Sequence, residues 1–225
     1  MKNRIQKAQA IFLFSTIIFT GFLTSSVIAG LEGPVVDAIS YYNQAVDAAS
    51  EGSIDEALIL INKSLEIQPD FYLAQVTKAS LYSQTGRHSQ AEIILNEAEK
   101  THPGNVYVLT AKASLYLETG QYKKAIQVAD HALAIDPSLI ETWIIKGTAH
   151  GGLGQYGEEL NASSQALLID PENEDALSNY EFAQKGLMLN QSNSDPVRAE
   201  KSSLSLSLLF AGVLSAVALQ VLVRK

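Results

Sequence analysis

The octapeptide ASLYSQTG at residues 79–86 returns thirty-four positions later as ASLYLETG, residues 113–120, with six of the eight positions identical. A fixed period of this length constrains the fold more than any bulk property, because such a repeat is one small supersecondary unit that must stack on copies of itself. The glycine that closes the octapeptide recurs at the same spacing as Gly52, Gly86, Gly120 and Gly154, and prolines recur as Pro69, Pro103, Pro137 and Pro171. These marks divide the chain into repeats 38–71, 72–105, 106–139 and 140–173, each reading as helix, Gly turn, helix, Pro turn. Glycine freely enters the left-handed conformation that ends the first helix, and proline cannot continue the second.

Residues are small where two helices must touch. The eighth position of the repeat holds Ala45, Ala79, Ala113 and Gly147, the twentieth Ala57, Ala91, Ala125 and Glu159, and the twenty-seventh Ser64, Ala98, Ala132 and Ala166. One such hairpin cannot bury its apolar stripe, but stacked hairpins can, and the last one needs a cover. Residues 174–188 are expected to supply it as a capping helix, with Leu177, Tyr180, Ala183 and Leu187 at helical spacing. Residues 189–201 are polar and aperiodic and read as a stalk.

The two ends differ from this body. Residues 1–29 carry Lys2, Arg4 and Lys7, then an apolar run, then the small-residue pattern Val27-Ile28-Ala29, the layout of a secretory signal peptide; the stretch is also long enough to be an uncleaved anchor. Residues 202–223 are uncharged, and a helix of that length spans about 33 Å at ~1.5 Å per residue, enough for a bilayer core about 30 Å thick. No Leu-Pro-x-Thr-Gly motif precedes this run, so it is expected to be a permanent transmembrane anchor ending in a cytoplasmic tail, 224–225. With the N-terminal cations held in the cytoplasm, the repeat body is expected to be extracytoplasmic, joined to the membrane by a single C-terminal span.

The segment 30–203 holds 24 Asp and Glu against 11 Lys and Arg, an excess that repels phosphate backbones and argues against nucleic acid as a partner. Cysteine is absent, and no two of His88, His102, His131 and His150 stand at the spacing of a helical metal site, so no metal or cofactor is expected. No nucleophile elbow, phosphate-binding loop or dinucleotide fingerprint occurs, so neither an enzyme nor a small-molecule substrate is expected. Lys78, Lys112 and Lys146 share one repeat position, and their stems are expected to cover apolar surface. Asn62, Asn161 and Asn190 head Asn-x-Ser triplets, of which the one in the stalk is the accessible one.

The pattern of small residues and prolines resembles the tetratricopeptide repeat family. Eleven of twelve small-residue slots and all four prolines fit, over residues 38–173, with departures at Glu159, Ser163 and the HGGLG run. The resemblance implies an all-α, right-handed α-solenoid of four helix-turn-helix repeats plus the capping helix. It also implies that first helices line a concave groove for a protein or peptide partner. Mapped here, the groove is formed by Tyr42, Asn43, Val46, Val76, Thr77, Tyr107, Thr110, Ser114 and Ile144, with Glu118 among its further positions. This surface is neutral and rather apolar. The clamp by which family members grip chaperone tails needs Lys, Arg and Asn where this chain has Tyr42, Val46, Thr77, Tyr107 and Ala111. The expected role is a membrane-tethered scaffold binding a neutral or apolar peptide or helix; the alternative is a chaperone-like assembly factor for secreted or surface subunits.

Overall fold

The computed structural model describes residues 34–194. The N-terminal segment 1–29, the stalk beyond 194, the apolar run 202–223 and the tail 224–225 lie outside the described residues. Every regular element within them is an α-helix: α1 (Pro34–Ser50), α2 (Ile54–Ile67), α3 (Tyr72–Gln84), α4 (His88–Thr101), α5 (Val106–Glu118), α6 (Tyr122–Ile135), α7 (Ile140–Gly152), α8 (Tyr156–Ile169) and α9 (Glu174–Ser194). Among the described residues no helix is long and apolar enough to cross a membrane. The chain divides into two compact units, one up to Pro137 and one from Ser138.

The first unit contains three hairpins, α1–α2, α3–α4 and α5–α6, and α2 also meets α3 as α4 meets α5. Gly52, Gly86 and Gly120 end the first helices at φ +81°, +76° and +72°. The residue after each glycine donates its N–H five residues back, Ser53 to Ala48, Arg87 to Tyr82 and Gln121 to Tyr116, at 2.8–2.9 Å. These bonds satisfy carbonyls that the helix end would otherwise leave open. Before each proline the residue leaves helical geometry, as at Gln68 (ψ 88°) and His102 (ψ 65°), because the pyrrolidine ring crowds the α conformation of its predecessor.

The small slots are where the helices close on one another. Ala45, Ala57, Ala79, Ala91, Ala98, Ala113, Ala125 and Ala132 are all fully buried. Ser64, the polar exception, is buried too, and its Oγ donates to the Ala38 carbonyl at 2.8 Å, so the hydroxyl carries no desolvation penalty. Around these contacts gather two clusters, one with Ile61, Leu58 and Leu81 from the first two hairpins and one with Leu95 of α4 and Leu115 of α5.

The second unit contains α7, α8 and α9. Two of its departures from the repeat pattern are complementary: a Cβ on Gly151 would stand 2.5–2.6 Å from the Glu159 carboxylate, so the missing side chain on α7 makes the room that the larger one on α8 fills. The α9 helix shows two differences from expectation. It continues past Met188 through residues 189–194, where no helix breaker stands. Its buried stripe is Ala176, Asn179, Ala183 and Gly186, whereas Leu177 is 40% exposed. Close approach selects the small residues: the ring of Tyr156 lies where a Cβ on Gly186 would be, and Asn179 Nδ2 donates to Thr148 Oγ1 at 2.8 Å. Trp143 lies on α7 with the Lys146 ammonium 5.2 Å from its ring. Asn161 on α8 is exposed as well as Asn190, while Asn62 is half-buried.

Candidate partner-binding surface

In the first unit α3 and α5 lie side by side, and the Ser83 hydroxyl of α3 donates to Glu118 Oε2 of α5 across the contact. The sequence-assigned residues fall into three classes on the helices. Tyr42, Thr77 and Thr110 are buried; Tyr42, 4% exposed, packs its ring 5.2 Å from Phe71 inside the core. Asn43 and Val46 on α1, Val76 on α3 and Ser114 on α5 are half-buried and show part of their surface. Tyr107 is 45% exposed. Ile144, in the second unit, is buried, and its carbonyl receives Asn179 Nδ2 at 3.4 Å.

Tyr107 is held by local chemistry. Asn105 precedes α5 with extended backbone, and its Oδ1 accepts the N–H of Tyr107 at 3.0 Å and of Val108 at 3.2 Å, an N-cap that fixes the first turn. The Tyr107 ring stacks on Tyr72, centroids 6.1 Å apart and planes at 20°. Tyr72 in turn meets His102 edge-on at 5.6 Å, and His102 Nε2 donates to the Asp70 carbonyl at 2.6 Å. An exposed ring so backed keeps one orientation without a partner, which lowers the entropic cost of using it as an anchor. Sequence reading missed Tyr72 and His102 because the pair breaks the repeat frame: Tyr72 opens its repeat, while Tyr107 is second in the next.

Glu118 is the charged group here. Burial raises its pKa above the ordinary carboxylate value, opposed by the Ser83 hydrogen bond and the charge of His88. Ser83 has one hydroxyl hydrogen, given to Glu118, so the Nδ1–H of His88, 3.1 Å away, donates to the same oxygen. Elsewhere the lysine ladder is engaged within the chain: Lys112 Nζ pairs with Glu99 at 2.6 Å with only 13% of its side chain exposed, and Lys146 sits over Trp143. Tyr116 donates to Glu92 at 3.0 Å, and burial with that bond pushes its pKa to about 12. No group of three or more His, Cys, Asp and Glu among the described residues could hold a metal ion.

Comparison with known proteins agrees with this architecture. The family described as Psidin, N-terminal TPR repeats region, matches residues 44–179. Among solved structures, the first TPR domain of human RPAP3 is 21% identical, covers 56% of this chain and 99% of its own, and has a TM-score of 0.53. MamA, residue 41 to its end, from Desulfovibrio magneticus RS-1 is 20% identical, covers 71% of this chain and 98% of its own, also at 0.53. The first TPR of Spaghetti (RPAP3), solved bound to the HSP90 peptide SRMEEVD, is 21% identical over 52% of this chain and 92% of its own, with a TM-score of 0.50. No curated protein matches the chain. At these identities the likeness to the solved structures concerns the fold.

Proposed function

Because this chain belongs to the tetratricopeptide repeat family, we propose that it is a protein-interaction module taking a neutral or apolar peptide or amphipathic helix on the face of α1, α3 and α5. The role is binding rather than catalysis. The observation that carries the reading is Tyr107, an aromatic side chain 45% exposed, stacked on Tyr72 and capped in place by Asn105. Rigid aromatic rings bury large areas at small entropic cost and recur as the strongest contributors to protein interfaces. The solved complex of the Spaghetti domain with SRMEEVD supports peptide capture by such a fold, but that peptide is acidic, and the positions that would answer its carboxylates hold Tyr42, Val46, Thr77, Tyr107 and Ala111 here. A different ligand class follows. We also propose that residues 202–223 tether the module to a membrane with the repeats on the extracytoplasmic side, on the strength of their uncharged length and the basic, then apolar N-terminal segment.

A photo-crosslinking amino acid placed at position 107 in intact cells should give a discrete adduct that the same group at the exposed Gln127 of α6 does not. Equal labelling from both sites, or none from 107, overturns the binding face. Protease added outside intact cells should remove the module; protection until lysis overturns the exported placement.

A further inference from the structure

On the binding face just proposed, α5 carries an anchor at one end and a carboxylate at the other. Tyr107 and Glu118 are eleven residues apart, and at ~3.6 residues per turn that is about three turns, so both lie on one face of the helix, roughly 16 Å apart along its axis. Thr110 and Ser114 fill the same stripe between them without charge.

Glu118 is half-buried. Its Oε2 accepts from Ser83, and His88, which hydrogen-bonds that hydroxyl and not the carboxylate, acts on it by charge alone. No Lys or Arg among the described residues pairs with it, although Lys100 and Lys112 are paired with other glutamates. Its Oε1 takes no hydrogen bond from any described residue, and it is not among the side-chain oxygens sealed from solvent. The carboxylate is therefore held in one orientation by Ser83, partly stripped of water, and left with one oxygen open on an otherwise neutral face. A carboxylate so placed gains more from an incoming cation than one in bulk water does, because little further desolvation remains to oppose the pairing.

We infer that Glu118 selects a partner segment bearing a Lys or Arg side chain, which pairs with Oε1 while an apolar or aromatic residue of the same segment packs on Tyr107. The geometry sets the spacing: for an extended segment rising ~3.3 Å per residue with alternate side chains on one side, the basic side chain stands about four or six residues from the apolar one. This rests on the proposed binding face and revises its ligand, from a wholly neutral segment to one that is apolar at Tyr107 and carries a single Lys or Arg at Glu118.

The test uses the full-length protein in detergent and a random peptide library displayed on phage, selected in parallel on wild type, Glu118→Gln and Tyr107→Ala. Gln retains an acceptor for Ser83, so the variant keeps the α3–α5 contact. Wild type should enrich peptides with Lys or Arg about four or six residues from an apolar residue, and Glu118→Gln should enrich the apolar residue alone. A synthetic peptide of the wild-type consensus should bind about tenfold more weakly once its lysine is acetylated, and acetylation should make no difference to Glu118→Gln. Neutral consensus peptides from wild type, or indifference of wild type to acetylation, overturn the inference while leaving the face intact. No enrichment by wild type, or enrichment unchanged in Tyr107→Ala, overturns the face itself and the inference with it.

Discussion

Replacing Gly186 by alanine tests how α9 seats on α8. A glycine-to-alanine change inside a helix ordinarily stabilises by about 0.5–1 kcal/mol, because alanine loses less backbone freedom on folding. At position 186 the added Cβ would lie 2.5 Å from Cγ and Cδ1 of Tyr156 and 2.7 Å from Cδ2. Carbon atoms in contact sit about 3.5–4.0 Å apart, so the ring or the helix must yield by about 1 Å. The ring has little freedom to do so: it is edge-on to Phe182, centroids 5.9 Å apart. Overpacking of this kind costs about 1–3 kcal/mol, which outweighs the propensity gain and leaves a net loss of about 1–2 kcal/mol. For a chain of this size that lowers the melting temperature by about 2–8 °C, read by far-ultraviolet circular dichroism. Gly157 is the control, since it is helical and a Cβ there would meet nothing within 4 Å. Gly157→Ala should stabilise by up to about 1 kcal/mol, and Gly186→Ala should itself become stabilising once Tyr156 is also replaced by alanine. If Gly186→Ala raises the melting temperature as Gly157→Ala does, the Tyr156 ring does not lie over residue 186 and the seating of α9 described above is wrong.

Asn105→Ala removes the acceptor for the Tyr107 and Val108 amides and should destabilise the protein by about 1 kcal/mol in a denaturant titration; an unchanged midpoint would mean that α5 starts elsewhere. Burial raises the pKa of Glu141 from the ordinary 4.5 to about 8. Its protonated form is favoured on folding, so its contribution to stability is present below pH 4.5 and is lost as the pH climbs towards 8. Glu141→Gln cannot ionise, so its melting temperature should gain on wild type as the pH rises over that range, by the equivalent of about 1–2 kcal/mol after allowance for partial solvation. A difference that does not vary with pH would show that Glu141 is ionised in the folded protein.

The features legible in the sequence are those that answer to a single local requirement. Gly52, Gly86, Gly120 and Gly154 each satisfy one backbone angle, and the alanines at repeat positions 8, 20 and 27 each satisfy one close approach. The buried stripe of α9 was not legible, because two stripes of equal periodicity run side by side and share Ala183. Apolar size favoured Leu177, Tyr180 and Leu187, whereas contact distance favoured Ala176, Asn179 and Gly186. Glu159 looked like a defect until Gly151 was placed opposite it, since their complementarity exists only once α7 and α8 are paired. Of the residues assigned to the proposed binding face, Tyr107 is exposed but Tyr42 and Ile144 are core, because an aromatic or β-branched residue at an inner position satisfies packing and recognition equally well in a one-dimensional pattern. The Ser83–Glu118 contact joins position 12 of one repeat to position 13 of the next, a register that depends on how neighbouring hairpins dock.

Trp143 is the sole tryptophan, and it belongs to the second unit. Indole emission therefore follows the unfolding of α7 and its neighbours alone, while dichroism follows every helix of both units. The chain thus carries its own built-in reporter of cooperativity. Superimposable melting curves from the two signals describe one all-or-none transition; an emission curve that leads or lags describes a molecule that comes apart in stages, for which each unit has a transition temperature of its own.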